Sequence, residues 1–75
     1  MSLKRILGRE IIKILCNKLG FSTIRQSGSH VCLAKETSSG KVGTVVPLHK
    51  QVKIGTLKNI LKLAKISEEE FEKWL

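Results

Sequence analysis

The sequence predicts an α+β domain in which amphipathic helices pack on a three-stranded antiparallel sheet, in the order α-β-β-β-α with a short third helix at the end. Three observations support this fold class. Apolar residues recur at one-turn spacing near both ends of the chain, they alternate with polar residues in its middle, and glycine-containing turns separate the alternating runs. At 75 residues, the chain has room for one domain, residues 1–75, built around one small core.

The first predicted helix begins at Gly8 and is amphipathic. Gly20 ends this helix, because glycine adopts the left-handed conformation of a helix C-terminus at low cost, and Phe21 returns the chain to the core. The predicted buried face comprises Ile11, Ile12, Leu15, Cys16 and Leu19.

The middle of the chain predicts three short strands, because its residues are β-branched or alternate in polarity. The strands run from Ser22 to Ser27, from Ser29 to Lys35 and from Val42 to Val46. A turn at Ser27-Gly28 joins the first two strands, and the polar segment from Glu36 to Lys41 joins the second and third. Pro47 ends the third strand because it has no backbone N–H to donate. Consecutive strands joined by turns predict an antiparallel meander.

The second predicted helix starts at Gly55-Thr56, with Thr56 as a candidate N-cap. One-turn spacing predicts a buried stripe on this helix and lysines on its other face. The stripe comprises Leu57, Ile60, Leu61 and Ala64, and the outward lysines are Lys58, Lys62 and Lys65.

A short third helix follows. Ser67 and Glu70 have the spacing of a capping box, and Phe71 and Trp74 supply apolar contacts. Two amphipathic helices that cover one face of an antiparallel meander have the layout of a double-stranded-RNA-binding-type domain.

The net charge of +8 is unevenly distributed along the chain. Residues 1–65 contain 13 lysines or arginines and 2 glutamates, whereas residues 66–75 contain 1 lysine and 4 glutamates. A basic body attracts polyanions such as nucleic acid. The alternatives are lysines that only keep a small protein in solution, an acidic protein partner and an anionic membrane surface. The membrane alternative is weakened because Phe21, Phe71 and Trp74 lie apart from the lysine clusters.

The two histidines both lie in polar, turn-like segments. His30 follows Gly28, which lets a phosphate approach the main chain, and Ser29, whose hydroxyl can donate to a phosphate oxygen. An imidazole can take or give a proton near neutral pH when a ribose 2′-hydroxyl attacks its neighbouring phosphate. The alternative for His30 is a surface histidine that only tops the sheet edge. His49 is a candidate second acid or base, a phosphate contact or a loop cap.

Basic and polar residues near the two histidines are candidates for binding RNA. We expect them to follow phosphates rather than bases, and hence to give weak sequence preference, although solvated surface residues are the common alternative. Lysines near the histidines could also stabilise the negative charge of a phosphorane-like transition state. The candidates are Arg25, Gln26, Lys50, Lys53, Lys58 and Lys62.

The sequence predicts no metal site and no other cofactor. It contains no aspartate, and Glu36 is the only acidic residue between Gln26 and Thr56, so a carboxylate-bound divalent metal is not expected. Cys16 and Cys32 lack the CxxC spacing of zinc sites and disulfide frameworks. A nucleophilic Cys32 paired with a histidine is not favoured, because only diffuse positive charge could activate the thiol.

Targeting signals are also not apparent. We find no signal peptide and no uncharged apolar run approaching the ~20 residues of a membrane span. The sequence therefore predicts a cytoplasmic protein that does not enter membranes.

Three motifs in this order resemble the HicA family of toxin mRNA interferases. Gly28-Ser29-His30 opens a strand, Val46-Pro47-Leu48-His49 closes a later one, and the segment from Lys53 to Leu61, of the form Lys-x-Gly-Thr-Leu-x-x-Ile-Leu, starts a helix. The resemblance runs from about Gly8 to Phe71. It implies the double-stranded-RNA-binding-domain-like fold and identifies His30 with the catalytic histidine of the family.

The same resemblance implies an endoribonuclease that cleaves mRNA, blocks translation and is neutralised by a HicB-type antitoxin. We expect cleavage to be metal-independent and the free protein to be a monomer. A non-catalytic RNA-binding module of the same fold is the leading alternative. An interaction domain for an acidic protein would instead have no affinity for RNA.

Overall fold

In the part of the chain that the structure describes, three helices and three strands follow one another in the predicted order. The computed structural model describes residues 5–49 and 51–75. The helices are α1 (Gly8–Asn17), α2 (Ile54–Leu63) and α3 (Glu68–Glu72), and the strands are β1 (Ser22–Ser27), β2 (His30–Thr37) and β3 (Gly40–Pro47). The strands form an antiparallel sheet in the order β1-β2-β3. The predicted α+β meander is therefore confirmed.

The turn between β1 and β2 differs by one residue from the prediction. Ser27 pairs with His30, so the turn is Gly28-Ser29 rather than Ser27-Gly28, and β2 begins at His30. Gly28 has φ 60°, and glycine at the first central position is typical of a type II′ hairpin turn. The Gln26 side-chain amide donates to the Gly28 carbonyl at 3.0 Å and braces the turn.

The turn between β2 and β3 is shorter than the predicted polar segment from Glu36 to Lys41. Thr37 pairs with Gly40, which leaves only Ser38-Ser39 in the turn. The Thr37 hydroxyl donates to the Gly40 carbonyl at 2.6 Å and accepts from the Ser39 N–H at 3.2 Å. The polar residues of this segment are therefore the solvent-facing end of a hairpin, and their polarity reflects exposure rather than loss of pairing.

One face of the sheet carries the core. Val31 of β2 lies opposite Val46 of β3, and Leu33 lies opposite Thr44. Residues directly opposite each other in an antiparallel pair point to the same face, and all four are buried. The Thr44 hydroxyl donates to the Ile60 carbonyl of α2 at 2.9 Å in the interior. Side chains of α1 and α2 join these strand residues in one hydrophobic cluster, so both helices cover this face.

The predicted helical stripes are confirmed. On the face predicted for the first helix, Ile11, Leu15 and Leu19 are buried, with Leu19 lying just beyond the end of α1, and Ile12 and Cys16 pack half-buried against the core. Gly20 after α1 has φ 79°, as expected of a left-handed residue, and Phe21 is buried. All four stripe residues of α2 are buried, and Lys58, Lys62 and Lys65 are exposed.

The prediction of Thr56 as the N-cap of α2 is wrong. The helix begins at Ile54, and Lys53 occupies the N-cap position, where its carbonyl accepts the Leu57 N–H at 2.9 Å. Thr56 therefore lies inside the first turn. A lysine side chain has no acceptor for the free N–H groups of a helix, so local sequence gave little sign of this start.

The capping residue of α3 is confirmed. The Ser67 hydroxyl accepts the Glu70 N–H at 3.1 Å, while the Glu70 carboxylate pairs with Lys73 at 3.2 Å. Phe71 is fully buried, as predicted. Trp74 remains 40% exposed, and the Lys18 ammonium lies 5.2 Å from its ring centroid. Trp74 is not among the residues of the hydrophobic core, so the contact seen for it is this cation–π contact and not the predicted apolar one.

Candidate active site

Tertiary structure brings the two histidines together. The ring centroids of His30 and His49 are 6.4 Å apart, and the ring planes meet at 68°. His30 is the first residue of β2 and pairs with Pro47, the last residue of β3. His49 follows two residues later, so the β2–β3 register carries it to the same end of the sheet. Both side chains are exposed and accessible to a large substrate.

Backbone hydrogen bonds hold the segment that carries His49. The Leu48 N–H donates to the Ser29 carbonyl at 2.6 Å, which continues the ladder one residue beyond Pro47. The Gly8 N–H of α1 donates to the His49 carbonyl at 3.0 Å. A bridge between Ile6 and Val52 ties the following residues to the segment before α1. The main chain is thus held just before His49, at His49 itself and again at Val52.

Gly8 is a positioning residue that the sequence analysis did not include among the site residues. A Cβ at this position would overlap the Pro47 carbonyl oxygen and would lie 3.1 Å from the Leu48 Cα. Only glycine lets α1 approach the His49 segment this closely. The sequence carried one sign of this role: glycine is a poor helix former, and yet Gly8 opens the first predicted helix.

A surface groove adjoins His49 and extends to β1. One part, of about 340 Å³, is lined by Leu7, Arg9, Leu48 and His49. The next part, of about 400 Å³, shares Arg9 and Leu48 with the first. We call the two parts together the Arg9 groove. The remaining residues of the second part are Ile12, Thr23, Ile24, Arg25, Gln26 and Val31.

The sequence-predicted binding residues fall into two regions. Arg25 and Gln26 line the Arg9 groove. Lys58 and Lys62 line a separate depression of about 380 Å³ on α2, together with Gly55, Thr56 and Asn59. The described residues that line this depression do not include any that line the Arg9 groove. Lys53 lies exposed at the start of α2, and Lys50 lies outside the described residues.

The remaining candidate groups are the two cysteines and the side chains that could bind a metal. Burial raises the pKa of the Cys16 thiol, and Cys16 and Cys32 are both free and half-buried. Within residues 5–49 and 51–75, no three His, Cys, Asp or Glu side chains cluster closely enough to hold a metal ion. None of the helices in this described part of the chain has the length and apolar character to span a bilayer.

Comparison with known proteins assigns the family. The family model described as "HicA toxin of bacterial toxin-antitoxin" matches residues 8–66, which include α1, the whole sheet and α2. No curated protein and no solved structure matches the chain significantly. The match covers most of the chain and contains both histidines, Gly8 and Arg9. The chain therefore belongs to the HicA family of toxins of bacterial toxin–antitoxin systems.

Proposed function

We propose that this chain is an endoribonuclease toxin that cleaves mRNA, blocks translation and is neutralised by a HicB-type antitoxin. Membership of a toxin family supports the toxin role and implies an antitoxin partner. The observation that carries the catalytic part of the proposal is the 6.4 Å separation between the rings of His30 and His49. Two exposed imidazoles at this distance can each reach a different oxygen of one phosphate.

The proposed reaction is attack of a ribose 2′-hydroxyl on its own 3′-phosphate. One imidazole, in its neutral form, accepts the 2′-hydroxyl proton as the 2′-oxygen bonds to phosphorus. The other, protonated, donates a proton to the departing 5′-oxygen as the phosphorus–oxygen bond breaks. The products are a 2′,3′-cyclic phosphate and a 5′-hydroxyl. In this scheme His30 is the essential group and His49 is its partner, each within about 2.6–3.2 Å of its oxygen in the reacting complex.

Positive side chains complete the proposed site. Arg25 lines the Arg9 groove that adjoins His49, and a guanidinium can make paired hydrogen bonds to phosphate oxygens. Such contacts can balance the extra negative charge of the transition state. We therefore propose that cleavage needs no metal ion.

The test is cleavage of a short labelled RNA by purified variants. We expect His30→Ala to lower the cleavage rate by about 100-fold or more, the usual contribution of a positioned acid or base, and to abolish growth inhibition. His49→Ala should lower the cleavage rate too, because it removes the second acid or base of the scheme. Lys41→Ala is the control, because Lys41 is an exposed cation near the turn at the opposite end of the β2–β3 pair.

Two further measurements separate the proposal from its alternatives. A 2′-deoxy substitution at the cleaved nucleotide should stop cleavage, and a chelator such as EDTA should not. Cleavage that is lost in EDTA and restored by magnesium would contradict the metal-free mechanism. A protein that binds RNA equally well with and without His30, and never cleaves it, would be a non-catalytic RNA-binding module.

A further inference from the structure

We propose that the Arg9 groove is a binding subsite for one unpaired nucleotide next to the cleaved phosphate. Its apolar floor would take the nucleobase, and Arg9 and Arg25 would contact the base face and the phosphates. The inference deepens the proposed function and depends on it only for the identity of the neighbouring phosphate. It assigns a role to Arg9, which follows Gly8 in the first turn of α1.

Large apolar side chains line the groove and stay open to solvent. Leu48 is 38% exposed and Ile24 is 57% exposed, and Ile12 also lines this region. The register of β1 against β2 shifts between Thr23 and Arg25, which leaves Ile24 at an irregularity of the edge strand. A bulge of this kind redirects a side chain, and it often occurs beside functional sites. Large apolar side chains held open to solvent here provide a surface that an apolar ligand can cover.

The charge of the groove selects the kind of apolar ligand. Arg9 lines both parts of the groove and Arg25 lines the second, whereas none of the described lining residues is acidic. An apolar floor beside two guanidinium groups fits a ligand with a flat, weakly polar body and a negative charge. A nucleotide has both features.

A guanidinium group also supplies what the described lining of the Arg9 groove lacks, which is the flat face of a Phe, Tyr or Trp ring. Phe21 and Phe71 are buried, and the exposed Trp74 lines a different depression, beside Lys13 and Lys18. Arginine stacks on nucleobases through its planar guanidinium, as aromatic side chains do. Arg9 is exposed and borders the cavity that contains His49, so a base beneath it would lie next to the phosphate that the histidines act on.

This geometry favours single-stranded over duplex RNA. Bases in an A-form duplex are stacked inside the helix, and placing one in a surface groove requires unpairing and unstacking it. In single-stranded mRNA the base is already unpaired, so binding does not require the free energy of opening a base pair. We therefore infer that the substrate is unpaired at the nucleotide that enters the groove.

The test measures binding rather than cleavage. The probe is a short single-stranded RNA carrying 2′-O-methyl groups, which cannot undergo 2′-hydroxyl attack, compared with copies in which each nucleotide in turn is abasic. We expect one abasic position to weaken binding by about 10-fold or more, the usual effect of losing one stacked base. Arg9→Ala should weaken binding of the intact RNA similarly and should remove the penalty of that abasic position.

Two more variants make the test specific. Ile24→Ser removes an exposed apolar contact at the far part of the groove and should act in the same direction as Arg9→Ala. Lys41→Ala removes an exposed cation elsewhere and should preserve the abasic penalty. Circular dichroism checks that all variants fold, as expected for exposed positions.

Three results would overturn the inference. The first is an Arg9→Ala protein that retains the abasic penalty. The second is an equal loss of affinity for duplex and single-stranded RNA, which would make Arg9 a phosphate contact only. The third is a loss of antitoxin binding with RNA affinity unchanged, which would make the groove a protein-binding surface. A parent protein that shows the abasic penalty but does not cleave unmodified RNA would instead contradict the nuclease proposal and support the subsite.

Discussion

At the scale of single residues, Gly8 is what allows His49 to lie where it does. Its N–H bonds the His49 carbonyl at 3.0 Å, and a side chain there would meet the Pro47 backbone. Backbone atoms move less readily than the end of a flexible side chain. The position of His49 relative to His30 therefore depends on a residue that is far away in sequence and carries no functional group.

We predict that Gly8→Ala destabilises the protein and slows cleavage. Overpacking of this kind costs about 1–3 kcal/mol, and the required shift would move His49 away from His30. Urea unfolding and the cleavage rate measure the two effects. Gly55→Ala is a matched control for the unfolding measurement, because Gly55 also lies in the first turn of a helix, but a Cβ there meets no described atom within 4 Å. An unchanged cleavage rate in folded Gly8→Ala would show that the position of His49 is unimportant.

At the scale of elements, α2 ends in a Schellman motif without a glycine. The Ile66 N–H donates to the Leu61 carbonyl at 3.0 Å, and the Lys65 N–H donates to the Lys62 carbonyl at 3.2 Å. Lys65 has φ 60°, a conformation that costs most residues with a side chain about 1 kcal/mol. The motif returns Ile66 to the core, against which that side chain packs.

Lys65→Gly is therefore predicted to stabilise the fold by about 0.5–1 kcal/mol, because glycine adopts positive φ without a Cβ clash. Equilibrium urea unfolding gives the free energy of unfolding. Lys62→Gly is the control and should have the opposite effect. Lys62 lies within α2, and glycine there should lower the free energy of unfolding by about 1 kcal/mol. Destabilisation by Lys65→Gly would contradict the strain assigned to this position.

The exposed lysines of α2 carry a separate prediction about salt. If Lys58 and Lys62 contact RNA phosphates, reversing both to glutamate should reduce the salt dependence of binding by about 0.7–0.9 in the log–log slope for each lost contact. Reversal of Lys13 and Lys41 changes the net charge equally, but neither residue lines the α2 depression. Equal slopes for the two double variants would show that the salt dependence of RNA binding reflects overall charge and not contacts with α2.

At the scale of the whole molecule, the protein is small and its charge is segregated. Its extents are 30 × 30 × 19 Å, and its accessible surface is 5009 Å². A typical protein interface covers about 800 Å² of each partner, a substantial share of a surface this size. The positive charge lies in the body, while Glu68, Glu69 and Glu70 begin α3. An interface of that size centred on the Arg9 groove, which His49 lines, would cover the histidine pair.

We therefore predict that RNA and a HicB-type antitoxin compete for this protein. The His30→Ala protein, mixed with labelled RNA, should release the RNA as antitoxin is added, and the same lysines and arginines should matter for both ligands. Fluorescence anisotropy follows the release. A ternary complex with unchanged RNA affinity would rule out direct occlusion and would point to inhibition at a distance.

Local sequence patterns alone determined the number, type and order of the helices and strands. The stripe of α2 and the Ser67 cap follow from spacing within a few residues, which is why they were predicted correctly. Errors occurred where the local signal was ambiguous. The polar residues of the β2–β3 hairpin resembled a loop although they pair, and Thr56 resembled a cap although the helix begins before it.

For the candidate site, the sequence by itself made His30 a candidate, through its Gly-Ser-His motif, and gave His49 several possible roles. Only the tertiary structure decided that the two rings lie 6.4 Å apart, that Gly8 supports His49, and that Arg9 joins His49 to Arg25 in one groove. The physical reason is that these relations depend on strand register and on the docking of α1 against the end of β3. Both result from many long-range contacts acting together, and periodicity within a short segment carries no information about them.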